Sequence, residues 1–398
     1  MKKFTLLSLA LAFASSSAFA DVYMYKESSI SNDSFGTASN WYQITDSDGT
    51  LFIPTWIQHA TLDKSNNTGV YGSSAVSFTY KEATTFAPTS SDDIVFAVVK
   101  VLDSETSTVK SHNAPKVVTI SNSITANNFM VRNYQATTFK LKNSSTGDFA
   151  INLSGVLATE YNETPLKFII DDTNTENKYS IYAKALYARG DVRNGNCRLI
   201  QFGDENRAFD EIIFDEGTMN GTQPQNSYDI SFFAKKVIMG GTYTMRYNIA
   251  ASQDKQIANI TTVNFSNLVA TTKIDSFDVG DAIFNVGGKI IIDDFSEYSE
   301  KHDVFILDFA NAGITDESNG VYNLVYAVEG YEGFDTENAN LVYGFTIKNL
   351  NLTEGNYEFI MNDNMLQLAV GSAVPEPATV AGIAGLLALA FAAYRRRK

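Results

Sequence analysis

Cys197 is the single cysteine in 398 residues, so no disulfide can form within the chain and the fold must stand on its apolar core. Its surroundings, Asn-Gly-Asn-Cys-Arg, offer no neighbouring histidine to activate the thiol. Histidine is nearly as scarce. His59, His112 and His302 are scattered, none lies in a His-Glu-x-x-His pattern, and no Cys/His cluster suggests zinc. A Gly-x-Ser-x-Gly elbow and a Walker-type glycine loop are also missing. Only seven prolines interrupt the chain. Positive charge is in short supply as well: 30 Lys and Arg face 45 Asp and Glu, a net of −15. Residues 21–374 alone carry 24 basic and 44 acidic side chains, a net of −20. Such a surface disfavours nucleic acid and anionic lipid. It suits solubility, and it is compatible with divalent cations and a hydrated extracellular matrix.

What is present reads as β-structure. Hydrophobic residues make up 44% of the chain, enough for a packed core. Helical periodicity is nearly absent between the two ends. Short β-branched and aromatic runs recur instead, bounded by Asn, Asp, Gly, Ser and Thr. They include 116–120, 128–131, 137–141, 149–153, 167–170, 211–214, 236–239, 261–265 and 289–292. Later runs are 302–309, 322–328, 341–347, 357–361 and 365–370, with Asn362-Asp-Asn364 as a hairpin turn. The expected class is all-β. Strands at short, fairly even intervals over so long a stretch favour a right-handed parallel β-helix, which grows by adding coils of roughly 20–25 residues. Tandem β-sandwiches are the alternative. The expected core includes Phe139, Ile151, Ile169, Phe214, Phe265 and Ile291. Asn-rich corners such as 142–145 can bend through left-handed conformations.

The two ends carry addresses. Lys2 and Lys3 precede an apolar run over 4–14, three serines, and Ala18-Phe19-Ala20. This is the layout of a secretory signal, with small residues at Ala18 and Ala20 for signal peptidase and Asp21 as the first mature residue. At the other end, 378–394 is uncharged and would span ~26 Å as a helix. Arg395, Arg396, Arg397 and Lys398 follow it, so this end is expected to stay in the cytoplasm. Just upstream, Val374-Pro375-Glu376-Pro377 must be extended. The order Pro-Glu-Pro, apolar span, basic cluster resembles the PEP-CTERM sorting signal of Gram-negative bacteria. That resemblance implies recognition by an exosortase, a membrane-embedded cysteine protease and transpeptidase.

The expected organisation is a signal peptide at 1–20, a β-rich cap at 21–110, a β-solenoid at 111–370, and a sorting tail at 371–398 with its transmembrane helix at 378–394. Within the cap, 36–41, ending in Asn-Trp41, and 87–96, beginning Ala-Pro-Thr-Ser, resemble the opening of autotransporter-type β-helix passengers. A large indole there would plug the open first coil.

Candidate chemistry is thin. The acidic pairs are Asp92-Asp93, Asp171-Asp172, Asp204-Glu205 and Asp293-Asp294. A glycosidase needs two carboxylates, one held protonated, and a lyase needs a base with a cation. These pairs sit beside strands at turn-like positions expected to be wet. Pectin-cleaving hydrolases carry Asn-Thr-Asp and Gly-His-Gly motifs, and neither occurs here. No catalytic or metal-binding residue is assigned. The one cofactor left open is Ca²⁺, because Asp46-Ser47-Asp48-Gly49 has part of a calcium loop's oxygen spacing, although Asp-Gly there also makes a hairpin turn. The expectation is therefore an inner-membrane-anchored precursor that becomes a surface or matrix protein, structural or adhesive, whose partners are exopolysaccharide or matrix glycans and not nucleic acid. A polysaccharide hydrolase or lyase on the same scaffold is the alternative.

Overall fold

The computed structural model describes residues 21–26, 33–45, 60–71, 76–97, 99–103, 108–112, 116–132, 136–160, 165–189, 199–220, 228–249, 256–272, 276–294, 304–334, 344–362 and 364–373. The protein is all-β, with about 55% strand, and no α-helix occurs among the described residues. Its strands pair mainly in parallel sheets, an arrangement consistent with a β-solenoid.

The chain visits three sheets in rotation. From Phe129–Arg132 in the first sheet it passes to Thr137–Leu141 in the second and Phe149–Leu153 in the third. The next turn repeats the order with Val156–Glu160, Leu166–Ile170 and Tyr179–Ala183, each parallel to its predecessor. Ala185–Arg189, Leu199–Phe202 and Glu211–Phe214 follow, then Thr218–Asn220, Tyr228–Phe233 and Val237–Met239. The coils are longer than the expected roughly 20–25 residues: Phe129, Val156, Ala185 and Thr218 begin successive turns. Three strands and three corners per turn take more chain than two, and the corners vary in length.

Alternation along each strand explains the core. Thr137–Leu141 and Leu166–Ile170 both bury every second side chain. Parallel register then puts like over like: Val118, Phe139, Phe168, Phe202 and Phe232 form one column. Within it Phe139–Phe168, Phe168–Phe202 and Phe202–Phe232 stack at 5.1, 5.6 and 5.5 Å between ring centres. That spacing is set by the ~4.8 Å step between strands. Of the expected core residues, Phe139, Ile151, Phe214 and Phe265 are buried. Ile169 and Ile291 are not, because the period of two turns them outward with Lys167 and Lys289, and Phe168, Ile170 and Ile290 face inward.

Parallel pairing reaches back into the stretch read as a cap. Asp93–Ala97 pairs parallel with Phe129–Arg132 and with Val22–Tyr25, and Asp33–Ser34 pairs parallel with Val117–Ile120. Antiparallel strands Trp41–Thr45, Val76–Glu82, Thr68–Tyr71 and Ala60–Asp63 extend that sheet. Val22–Tyr25 is buried on both faces. Tyr23 and Tyr25 join the main core, while Val22 and Met24 join a second apolar cluster with Tyr42, Ile44, Leu62, Phe78, Val95 and Met130. Trp41 is fully buried, stacks on Phe86 at 4.4 Å, and donates its indole N–H to Phe35 O at 2.8 Å. Tyr25 and Phe35 each meet its ring edge-on at 4.9 Å. The chain's second tryptophan, Trp56, lies outside the described residues.

The other end closes differently. Gly320–Ala327 pairs antiparallel with Met365–Val370, which pairs antiparallel with Tyr357–Asn362. Asn362 sits opposite Met365 and Asn364 has φ of 67°, as the expected tight hairpin requires. All six residues of Met365–Val370 are buried. This hairpin continues the third sheet out of parallel register, which blunts its edge.

Candidate functional site

Asp171, Asp172, Asp204, Glu205 and Asp210 lie at corners between the second and third sheets. Between Leu166–Ile170 and Tyr179–Ala183 the chain must turn, and Asp172 starts the turn by accepting the N–H of Asn174 at 2.9 Å. Asn174 Oδ1 then accepts the N–H of Glu176 at 3.1 Å. The other oxygen of Asp172 accepts the Tyr179 hydroxyl at 2.6 Å and Asn177 Nδ2 at 2.8 Å.

Neighbouring corners complete a network. In the corner before, the Asn143 N–H donates to the Tyr179 hydroxyl at 2.9 Å, and the Gly147 N–H donates to Asn177 Oδ1 at 3.0 Å. In the corner after, Arg207 donates to the carbonyls of Asp172 and Asn177 at 2.7 and 2.6 Å, and its guanidinium lies 5.0 Å from the centre of the Tyr179 ring. Asp210 accepts the Tyr179 N–H at 2.9 Å and Lys235 Nζ at 2.7 Å. The 142–145 corner differs from expectation, since Asn143 is not among the residues with positive φ. Its side chain makes the bend instead, accepting the Ser145 N–H at 3.1 Å and donating to Gly147 O at 2.8 Å.

These contacts fix the charge states. The Tyr179 hydroxyl, then Asn174, Asn177 and the Arg207 charge, hold the Asp172 carboxyl down at about 2. Burial, then the hydrogen bond to Asp172, pushes the Tyr179 hydroxyl well above its usual range. Asp172 therefore moves in the direction opposite to that a general acid needs, and Tyr179 cannot serve as a base near neutrality. The group works as a staple across consecutive turns.

The sign of its pH dependence follows. A carboxylate lowered on folding contributes stability above its ordinary value near 3.9, and the contribution is lost as pH falls toward about 2. Asp172→Asn should lower the denaturation midpoint above pH ~4, with the gap to the native protein closing on further acidification. Denaturant titrations from pH 2 to 7 check this, and a gap independent of pH contradicts it.

The remaining pairs are dispersed. Asp171 is exposed and pairs with Lys140 at 3.0 Å. Asp204 accepts the N–H groups of Asn206 and Arg207 at 2.9 and 3.0 Å, which is a turn, and Glu205 is exposed. Asp293 and Asp294 end Ile290–Asp294, in register with Arg246 and Tyr247. Asp92 and Asp93 overturn the expectation of wet acids, being 8% and 2% exposed. Asp92 accepts from Asp21 N and Thr89, and Asp93 is satisfied from the next turn. Asp93 accepts Asn128 Nδ2 at 2.8 Å and Asn127 Nδ2 at 3.0 Å. Burial still raises its carboxyl, with the charge of Asp92 adding to the effect.

Among the described residues no group of three or more His, Cys, Asp or Glu could hold a metal ion, and no helix is long and apolar enough to cross a membrane. The calcium-loop-like segment 46–49, Cys197, His59 and His302, Ala18 and Ala20, and the tail at 374–398 lie outside the described residues. His112 ends the strand Thr108–His112. Arg207, Asn177, Tyr179 and Asp210 were not singled out from sequence. Only the register between turns brings them together. Compared with known proteins, the chain matches no protein family, no curated protein and no solved structure.

Proposed function

We propose that this is an exported structural or adhesive protein of a Gram-negative cell surface or extracellular matrix, delivered by signal peptidase and an exosortase. The body is read as a right-handed parallel β-helix, supported by the strong right-handed preference of parallel crossovers. The carrying observation is the sequence that follows a long parallel stack: Val374-Pro375-Glu376-Pro377, then the apolar run 378–394, then Arg395 to Lys398. A stack of this kind offers a long, rigid surface whose corners vary while its core repeats. Its acidic exterior favours a hydrated glycan matrix, reached through aromatic faces or bridging Ca²⁺.

Intact-mass analysis of protein from the native host tests the delivery. The expected chain starts at Asp21 and lacks Arg395 to Lys398. A full-length chain in the outer fraction counts against it, and a host without exosortase should retain the precursor at the inner membrane. Incubation with neutral and acidic polysaccharides, with and without Ca²⁺, should give binding without turnover. Turnover lost on changing Asp171, Asp172, Asp293 or Asp294 would favour the hydrolase or lyase reading.

A further inference from the structure

Asp21 occupies a special place in this fold. Val22 pairs with Asp93 on one side and Ile44 on the other, so the strand that follows Asp21 is held by two neighbours. The Asp21 carbonyl accepts the Asp93 N–H at 2.9 Å, and its carboxylate accepts Gln43 Nε2. Its nitrogen, fixed by these contacts, donates to Asp92 Oδ1 at 2.9 Å. The other Asp92 oxygen is taken by Thr89, through the N–H and the hydroxyl, both at 2.8 Å. One oxygen of a largely buried carboxylate is thus aimed at the backbone nitrogen that the expected cleavage would free.

The surroundings are short of positive charge. Asp21, Asp92 and Asp93 bring three carboxylates together, and among the described residues no Lys or Arg forms an ion pair with any of them. Their mutual field is felt: the charges of Asp21 and Asp92 help raise the Tyr23 hydroxyl, after burial itself. A buried anion without a cation is costly, and an ammonium donor adds a charge–charge attraction that the neutral amide donor lacks.

We propose that cleavage before Asp21 creates a cation that this site is built to receive: the new α-ammonium of Asp21 docks on the Asp92 carboxylate and locks Val22–Tyr25 between its neighbours. This rests on the signal-peptide reading above. In the cleavage, one water adds across the Ala20–Asp21 amide. The C–N bond breaks, Ala20 leaves as a carboxylate, and the proton it sheds goes to the Asp21 nitrogen, which becomes an ammonium. A neutral amide donor in the precursor thereby becomes a charged one in the mature protein, in the same position. Processing then stabilises the cap as well as releasing the chain.

The pH dependence has a definite sign. The ammonium contacts Asp92; the other titratable groups nearby in the pairing are its own carboxylate, Asp93, Tyr23 and Lys81, which lies opposite Gln43 on the next strand. Docking on the Asp92 carboxylate favours the charged ammonium over the neutral amine, so the stabilisation is present while the terminus is protonated and is lost as it deprotonates in the alkaline range.

The experiment compares the full mature chain beginning at Asp21 with the same chain carrying two extra residues, Ala-Ser, before Asp21. Each is made with Asp92 and with Asp92→Asn, and thermal midpoints are read from pH 6 to 10. Asp92→Asn should lower the midpoint by about 5 °C more in the chain that begins at Asp21 than in the extended one. The advantage of the native terminus should fade across the alkaline range. Equal effects of Asp92→Asn in both chains would overturn the proposal and leave Asp92 as a Thr89 turn-former. Should Asp92→Asn fail to fold, the pH profiles of the two Asp92 chains decide, and parallel profiles overturn the proposal. Because the chain is made to begin at Asp21, a negative result here is distinct from a native terminus found elsewhere, which would remove the processing reading itself.

Discussion

Gly240→Ala should destabilise the stack by about 3 kcal/mol or more. Gly240 and Gly241 form the corner between Val237–Met239 and Tyr243–Ile249. A Cβ on Gly240 would lie 1.5 Å from the carbonyl oxygen of Asp215, in the turn before, and 2.4 Å from its carbon. Backbone, unlike a flexible side chain, cannot swing away. It is also pinned on both sides, because the Gly240 N–H donates to Phe214 O at 2.8 Å and the Gly287 N–H donates to Met239 O at 2.7 Å. The crowding continues upward: a Cβ on Gly287 would lie 2.3 Å from Gly240 O. Relief requires moving a whole turn, which breaks hydrogen bonds in two sheets. Gly36→Ala is the control, since nothing lies within 4 Å of its Cβ position. Denaturation midpoints of the two variants should separate widely. A Gly240→Ala protein as stable as the Gly36→Ala protein would mean that the turns are not so closely stacked.

The same stacking shows what could be read from sequence and what could not. Thr137–Leu141, Phe149–Leu153, Glu211–Phe214 and Met365–Val370 match their expected runs residue for residue. In most of these a period of two was bounded by turn formers, so element and phase were both local. Ile169 and Ile291 failed because Phe-Ile-Ile and Ile-Ile-Ile contain no alternation. The phase was carried by Lys167 and Lys289 beside them, whose outward direction turns 169 and 291 outward too. Coil length was illegible because corners differ in length without changing the strands. The Asp172–Tyr179–Arg207 network was illegible for another reason. Each residue reads as an ordinary turn or strand-end residue alone, and only inter-turn register joins them. The burial of Asp92 and Asp93 likewise depends on Val22–Tyr25 pairing with a strand far along the chain.

Phe202→Ala should cost about 3–5 kcal/mol. Phe202 has no exposed surface and stacks on Phe168 and Phe232 with ring planes tilted by only 10° and 8°. Truncation removes these two stacked contacts and a tilted one with Phe214 at 6.1 Å, each worth about 0.5–1.5 kcal/mol, and leaves a cavity among them. The neighbouring rings cannot close it, because parallel hydrogen bonding fixes Phe168 to Phe202 and Phe202 to Phe232 in register. Phe202→Leu keeps much of the volume and should cost less. Location matters as much as size. In a stack each turn is supported chiefly by its neighbours, so a weak turn in the middle uncouples the two halves. Hydrogen exchange should therefore quicken first around Leu166–Ile170, Leu199–Phe202 and Tyr228–Phe233, while Met365–Val370 at the far end keeps its protection. Uniformly faster exchange along the whole chain, or a loss under about 1 kcal/mol, would contradict a core built from a continuous phenylalanine column.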